Sequence, residues 1–291
     1  MRGLSYQKTH IQEIVLSGSG VKLFLKREDL NHPFVSGNKW WKLKYNLEEA
    51  VRFGHQTLLT FGGAYSNHIF ATAAAGKELG LKTVGVIRGE KTPLLNHTLT
   101  FAESCGMELH YISREEYRKK TAPDFIQQLQ NLFGDFYLIP EGGTNELAIK
   151  GCAEWALKLE QETNFDYVCL AVGTGGTVAG IINGLSPIKK VIGFPVLKGA
   201  EFLEKEIDSY LTSPKQNWSL NYDYHFGGCG KYNDALLHFI KDVKEKYGLP
   251  LDKIYTAKMV YGVFDLIEKG YFNKGTSVLI VHTGGLQANY F

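Results

Sequence analysis

A glycine-rich segment between an apolar run and a helical pattern is the first part of this sequence that could do chemistry. The apolar run from Tyr167 to Val172 predicts a buried strand, and Gly173-Thr174-Gly175-Gly176-Thr177 follows it directly. Glycines allow backbone N–H groups to converge on one point, and the start of the following helix adds partial positive charge there. The segment therefore predicts a cradle for a phosphate group, to which Thr177 can add a hydroxyl.

Two other interpretations of this segment stay open. A dinucleotide-binding fold uses similar glycines, but it also needs an acidic residue about 20 residues further on. That place is occupied by Phe194-Pro195-Val196, which has no carboxylate. A strand-to-helix turn without any ligand is the other alternative, although three glycines in four positions exceed what a turn requires.

A pair of lysines follows the turn-forming dipeptide Gly37-Asn38. Lys39 and Lys42 are three residues apart, so a helix would place both on one face. The turn in front of them can direct a lysine into a cleft. Taken alone, two ordinary surface lysines are the more common outcome for such a pair.

The tripeptide Ser66-Asn67-His68 opens an alanine-rich helical pattern that ends at Gly80. Serine is a favoured N-cap, and free amides at a helix start attract anions. Together with the side chains of Asn67 and His68, these amides would suit a carboxylate. A capped helix without a ligand is the simpler alternative.

Composition narrows the class of protein. The chain has 291 residues, 44% of them hydrophobic, and a formal net charge of +2 without a dense basic run, so no nucleic acid is expected as partner. No apolar stretch approaches the roughly 18 residues of a membrane helix. Four cysteines show no metal-ligand spacing, so we expect no metal site, and buried thiols predict a reducing compartment, the cytoplasm.

The fold class follows from the order of the patterns. Between Val21 and Val196, short β-branched runs alternate with helical patterns. Such alternation predicts an α/β fold with open, twisted, largely parallel sheets that carry helices on both faces. The length predicts two such sheets.

Taken together, these motifs resemble the family of 1-aminocyclopropane-1-carboxylate deaminases and D-cysteine desulfhydrases, which are fold type II, tryptophan-synthase-β-like pyridoxal-phosphate enzymes. The Gly-Asn-Lys-x-x-Lys-Leu and Ser-Asn-His motifs carry the resemblance, with Tyr255-Thr256-Ala257-Lys258-Met259 and His282-Thr283-Gly284-Gly285 near the end of the chain. The resemblance implies a small domain of residues 41–147 and a large cofactor-binding domain of residues 1–40 and 148–291. It also implies pyridoxal phosphate in the cleft between them, and a homodimer.

The resemblance further implies a role for each matched residue. Lys39 would bond covalently to the cofactor and would be catalytic together with Ser66 and Tyr255. The cofactor would be held by Lys39, Lys42, Asn67, Gly173, Thr174, Gly175, Gly176, Thr177, Tyr255, Thr256 and Thr283. The substrate, a small amino acid, would contact Ser66, Asn67, His68 and Cys229.

The sequence departs from the family pattern at three positions. Trp41 replaces an arginine, Tyr65 replaces a glutamine, and Cys229 replaces a tyrosine that lies at the substrate in the family. The last of these changes leaves the substrate and its chirality open.

The expected reaction is β-elimination from D-cysteine to pyruvate, ammonia and hydrogen sulfide. Thr256 and Thr283 match the desulfhydrase branch, whereas ring-opening deaminases carry Glu and Leu there. A threonine beside the ring nitrogen is a neutral partner, so we expect weaker electron withdrawal than with a carboxylate. Two alternatives stay open: a deaminase that forms 2-oxobutanoate and ammonia, and a catalytically silent paralogue that binds the cofactor.

Overall fold

The computed structural model describes residues 3–289, which form alternating strands and helices. The strands are β1 (Ile11–Ile14), β2 (Lys22–Lys26), β3 (Thr57–Gly63), β4 (Lys82–Arg88), β5 (Met107–Ile112), β6 (Tyr137–Ile139), β7 (Tyr167–Val172), β8 (Lys190–Pro195), β9 (Trp218–Leu220) and β10 (Ser277–Val281). The helices are α1 (Asn38–Arg52), α2 (Asn67–Leu79), α3 (His97–Ser104), α4 (Arg114–Tyr117), α5 (Pro123–Phe133), α6 (Glu146–Glu162), α7 (Gly176–Gly184), α8 (Phe202–Ser209), α9 (Asp234–Tyr247) and α10 (Thr256–Glu268). Short 3-10 turns lie at Glu28–Leu30, Glu141–Gly143 and Leu286–Asn289.

The strands form two separate sheets. One has four strands in the order β5-β4-β3-β6, all parallel, and the other has six in the order β1-β2-β10-β7-β8-β9. In the six-stranded sheet only β1 runs antiparallel to its neighbour. This architecture confirms the predicted α/β class with two largely parallel sheets.

The predicted domain boundaries fall inside helices. The division between residues 40 and 41 lies in the first turn of α1, and the division between residues 147 and 148 lies in α6. Strands β3 to β6 belong to the four-stranded sheet, while the strands before and after them belong to the other sheet. The division into a small and a large domain stays a prediction.

Helix α7 begins two residues earlier than the sequence pattern predicts, and the glycine before it shows why. The pattern predicts a helix from Val178, whereas α7 begins at Gly176. Gly175 has a φ of +77°, a left-handed conformation that glycine adopts without strain. The chain can therefore turn sharply after β7 and start the helix two residues early.

Helix α6 packs closely on α1 and α7 because glycines lie at the contacts. A Cβ on Gly151 of α6 would lie 2.0 Å from the Trp41 carbonyl oxygen of α1. A Cβ on Gly180 of α7 would lie 2.3 Å from the Cβ of Cys152. These three helices are thereby fixed beside the six-stranded sheet, and α1 and α7 both reach the pocket described below.

Trp41 has a specific place in this core. It is fully buried, its indole N–H donates to Glu28 Oε1 at 2.7 Å, and its ring stacks on Trp155 with centroids 5.9 Å apart. Glu28 is itself buried and accepts a further hydrogen bond from Thr9, and burial raises the pKa of this carboxyl group. Trp41, which stands where the family pattern has arginine, thus fits this core as an uncharged hydrogen-bond donor to the buried Glu28 carboxyl group.

Within the described part of the chain, none of the helices is long and apolar enough to cross a membrane.

The glycine contact between α6 and α1 leads to a stability test. Helix propensity alone would make Gly151→Ala stabilising by about 1 kcal/mol. The new Cβ would instead meet backbone, so we expect the free energy of unfolding to fall by about 1–3 kcal/mol. Urea denaturation measures the change, and Gln161→Ala, at an exposed position of α6, is the control with an expected change within about 0.5 kcal/mol. A more stable Gly151→Ala protein would contradict the packing argument.

Candidate active site

One pocket, with about 630 Å³ of empty space that includes its open mouth, brings together most of the predicted site residues. Those that line it are Lys39, Lys42, Ser66, Asn67, His68, Gly173, Thr174, Gly175, Thr177, Tyr255 and Thr283. Asn38, Gly142, Ala171, Val172, Val178 and Gly284 complete the lining. Gly176, Thr256 and Cys229 are predicted site residues outside it.

The two sheets supply this pocket from the carboxyl ends of their parallel strands. The glycine loop follows β7, the Ser66 turn follows β3, and Thr283 follows β10. Ligand sites of open α/β sheets form at such ends, because the loops that leave neighbouring strands converge there. The fold thus explains why segments far apart in sequence meet in one place.

The glycine loop is held against its surroundings by close contacts. A Cβ on Gly176 would lie 2.7 Å from Thr144 Cγ2, and one on Gly173 would lie 3.2 Å from the Tyr255 ring. The Thr177 hydroxyl at the start of α7 accepts a hydrogen bond from Asn38 Nδ2 at 2.8 Å. Side chains in place of these glycines would fill the space in front of the α7 N-terminus, which remains open to an anion.

Two lysine amines are buried side by side in this pocket. Burial lowers the pKa of Lys39 to about 8, and burial together with the neighbouring Lys39 charge lowers the pKa of Lys42 to about 7. Lys42 Nζ donates to Thr144 Oγ1 at 2.8 Å, and among residues 3–289 no carboxylate forms an ion pair with either lysine. The nearby thiol of Cys152 does not supply the charge, since burial raises its pKa to about 11.

His68 offers an unpaired nitrogen in the same pocket. The Thr60 hydroxyl donates its only proton to the Ile139 carbonyl oxygen, at 2.7 Å. Toward His68 the same hydroxyl must therefore accept, and Nε2 of His68 donates to it at 2.8 Å. Nδ1 of His68 therefore carries a lone pair, and it is buried without a hydrogen-bond partner in the described structure. Burial and the two lysine charges hold the pKa of this imidazole well below its usual range, so the ring is a neutral acceptor.

The Ser66 turn differs in one respect from the sequence expectation. The Ser66 hydroxyl itself accepts from the amides of His68 and Ile69, at 3.2 and 3.3 Å. Those two amides are therefore not free for a carboxylate. The amide and the carboxamide of Asn67 are the donors that this turn still offers, and the carboxamide oxygen accepts from Gln287.

Two predicted residues lie beside the pocket instead of in its lining. Thr256 is fully buried, and its hydroxyl donates to Asp252 Oδ2 at 2.7 Å. Cys229 is exposed in a loop whose backbone is held by Lys258, which donates to the carbonyl oxygens of His225 and Gly228.

Sequence reasoning missed three residues that hold the site together, namely Asn38, Thr144 and Asp252. The sequence predicts Asn38 only as part of a turn, and no sequence motif marks Thr144. Asp252 had a usable signal, since an aspartate shortly before a helix often caps it. It lies four residues before the first residue of α10.

Comparison with known proteins decides the family. A family model described as pyridoxal-phosphate dependent enzyme matches residues 6–284, almost the whole chain. The chain belongs to this family of pyridoxal-phosphate dependent enzymes. Pyridoxal phosphate is therefore its cofactor, as predicted.

Relatives within the family agree with the predicted resemblance. A protein from Pyrococcus abyssi, named provisionally as a 1-aminocyclopropane-1-carboxylate deaminase, is 33% identical over 92% of this chain and 85% of its own length. A bifunctional D-cysteine desulfhydrase/1-aminocyclopropane-1-carboxylate deaminase from Arabidopsis thaliana is 32% identical over 99% of this chain and 78% of its own length.

Solved structures show the same fold. The crystal structure of a homologue of the deaminase has a TM-score of 0.86 at 30% identity, and the match covers 98% of this chain and 91% of that one. A hydrogen sulfide-producing enzyme from Fusobacterium nucleatum has a TM-score of 0.71 at 16% identity, over 97% of each chain. At that identity the second likeness shows the fold alone.

The residues of the pocket fit pyridoxal phosphate. The two buried amines have no ion-pair partner among the described carboxylates, so an anion would compensate their charge. The glycine loop with the α7 N-terminus offers a phosphate its backbone donors. When bound, this cofactor withdraws electrons from the α-carbon of an amino acid, so that the carbon can lose a proton.

The buried amines predict how the stability of the cofactor-free protein depends on pH. An unfolded lysine titrates near 10.5, well above the folded values of about 8 and about 7. Between these values the unfolded chain binds more protons, so stability falls as pH falls through this window. Replacing Lys42 by Met should remove the contribution of this amine to the pH dependence. The difference in free energy of unfolding between the unmodified protein and Lys42→Met should then change by up to about 1.4 kcal/mol per pH unit.

Urea denaturation at a series of pH values measures this difference. Lys205→Met, at an exposed position of α8, is the control and should follow the unmodified protein. If Lys42→Met showed the same pH dependence as the unmodified protein, Lys42 would not be buried as an unpaired amine.

Proposed function

We propose that this enzyme removes the β-substituent of a small D-amino acid, with D-cysteine as the substrate and pyruvate, ammonia and hydrogen sulfide as products. The observation that carries the proposal is the meeting of Lys39, the glycine loop and the Ser66-Asn67-His68 turn in one pocket. These three segments supply an amine, an anion cradle and a carboxylate site. A homodimer remains a prediction from the family resemblance, and a cytoplasmic location remains a prediction from the cysteine usage.

Lys39 is the proposed base. A pKa of about 8 leaves roughly a tenth of the amine neutral at pH 7, far more than an ordinary exposed lysine would provide. Its Nζ would hold the cofactor covalently and, once released, accept the proton from the α-carbon of the substrate. Burial thus gives this lysine the proton affinity that its role requires.

Lys42 and the glycine loop are proposed to hold the phosphate. Lys42 Nζ and Thr174 Oγ1 both bond to Thr144 Oγ1, which links the amine to the loop. An anionic phosphate there would raise the pKa of Lys42 again and remove the cost of its burial. Cofactor binding should therefore stabilise this part of the fold.

The opposite side of the pocket is proposed to bind the substrate. Asn67 offers donors for the carboxylate, and the neutral ring of His68 lines the same pocket. Burial raises the pKa of Tyr255 well above its usual range, so this hydroxyl stays protonated and can donate. Ser66 caps α2 and would lie near the α-carbon.

The choice of D-cysteine is supported by Thr283, which lines the pocket where ring-opening deaminases carry leucine. The second candidate reaction is ring opening of 1-aminocyclopropane-1-carboxylate to 2-oxobutanoate and ammonia. It is favoured by the names of the relatives, one of which carries both activities in its name. The two substrates differ at the α-carbon, because D-cysteine carries a proton there and 1-aminocyclopropane-1-carboxylate does not. Ring opening would therefore need a first step other than the proton transfer to Lys39.

The first functional prediction is that Lys39 is the residue bonded to the cofactor. Borohydride reduction of the yellow holoenzyme should fix the cofactor on the peptide that contains Lys39, and mass spectrometry locates it. Lys39→Ala should lose both the label and turnover, whereas Lys42→Met should still be labelled at Lys39. A label on Lys42, or a protein that stays colourless with added cofactor, would refute the assignment.

The second functional prediction concerns the substrate. D-cysteine, L-cysteine and 1-aminocyclopropane-1-carboxylate are offered separately at the same enzyme concentration, and sulfide, pyruvate and 2-oxobutanoate are measured. We expect sulfide and pyruvate from D-cysteine at a rate at least about tenfold above either other substrate. Efficient formation of 2-oxobutanoate without sulfide from D-cysteine would establish the deaminase instead.

A further inference from the structure

Asp252 is a buried carboxylate directly in front of α10. It is 1% exposed and accepts four hydrogen bonds. Oδ1 accepts from the amides of Ile254 and Tyr255 at 2.9 and 2.7 Å, and Oδ2 accepts from the amide and the hydroxyl of Thr256 at 2.9 and 2.7 Å. Three of these donors are backbone amides, which cannot accept a proton in return. Both carboxylate oxygens of Asp252 are therefore acceptors, and their four donors fix the orientation of the group.

This arrangement fixes the direction of the Thr256 hydroxyl. A hydroxyl has one proton and two lone pairs. The proton goes to Asp252 Oδ2, and one lone pair accepts from the Asp252 amide at 3.0 Å. One lone pair is left, so toward any further partner Thr256 can only accept a hydrogen bond.

The carboxylate lies just behind the wall of the pocket. Tyr255, the residue before Thr256, lines the pocket, as does Gly284. A Cβ on the next residue, Gly285, would lie 3.4 Å from Asp252 Oδ2 and 2.7 Å from Asn67 Nδ2. Asp252 Oδ2 and the pocket residue Asn67 are therefore both neighbours of Gly285.

We propose that Asp252 is a positioning residue that acts through Thr256 and makes its hydroxyl accept a hydrogen bond from a protonated ring nitrogen of pyridoxal phosphate. The inference rests on the proposed function and on the family resemblance, which implies that Thr256 is the partner of that nitrogen. A threonine alone could donate to an unprotonated nitrogen or accept from a protonated one. Asp252 removes the first possibility, and its negative charge favours the positively charged ring.

The test measures the protonation of the ring nitrogen by NMR in holoenzyme loaded with isotope-labelled pyridoxal phosphate. Free pyridoxal phosphate in acid and in alkali marks the protonated and unprotonated positions of the resonance. We expect the protonated position for the unmodified enzyme and for Thr256→Ser, which keeps the hydroxyl. In Asp252→Asn the amide NH₂ would donate to Thr256, free the hydroxyl proton for the nitrogen, and move the resonance toward the unprotonated position.

Thr256→Val provides a second variant in case Asp252→Asn weakens the start of α10. It removes the acceptor but leaves the Asp252 cap with its three amide donors, and it should also lose the protonated resonance. An unprotonated nitrogen in the unmodified enzyme, or a resonance unchanged in both Asp252→Asn and Thr256→Val, would overturn the inference while the bound cofactor still supports the proposed function. Absence of any bound cofactor signal would overturn both.

Discussion

The pocket depends on a pair of buried lysine amines for which residues 3–289 offer no carboxylate as an ion-pair partner. Lys39 and Lys42 lie one helical turn apart in the first turns of α1, and burial opposes the charge of each. A protein can keep such a pair only if an anion compensates it or if the amines lose protons. The glycine loop and the α7 N-terminus face the same pocket. The lysines and this helix end together make the potential in the pocket positive, which favours a ligand of high negative charge.

The packing of the helices serves this arrangement. Close contacts at Gly151 and Gly180 bring α1, α6 and α7 together, and a Cβ on Gly37 would lie 2.0 Å from the Thr283 carbonyl oxygen. Gly37 has a φ of +67°, so no other residue could occupy this turn without strain. The lysine pair is thus fixed against both the glycine loop and the segment after β10. The same contacts therefore stabilise the fold and position the lysine pair.

Much of this could be predicted from sequence, because periodicity and glycine spacing are local signals. The strand Tyr167–Val172 and the loop after it needed only neighbouring residues. Two features could not be predicted in this way. The hydrogen-bond partner of Lys42 is the distant residue Thr144, and the proton position on His68 depends on Thr60, which lies on another element. The short edge strand β9 lacked a pattern of its own, since none of its three residues is buried.

The substrate question now depends on fewer residues than the sequence suggested. A threonine at the ring nitrogen was expected to be a neutral partner and therefore to favour the less demanding loss of a thiolate. On the inference above, Asp252 stands behind Thr256 and supplies the negative charge that ring-opening deaminases obtain from a glutamate. Thr256 then no longer separates the two reactions. On the proposed function, discrimination would then pass to Thr283 in the pocket and to the loop of Cys229 beside it. Their shape and hydrogen bonding would decide which leaving group is accommodated.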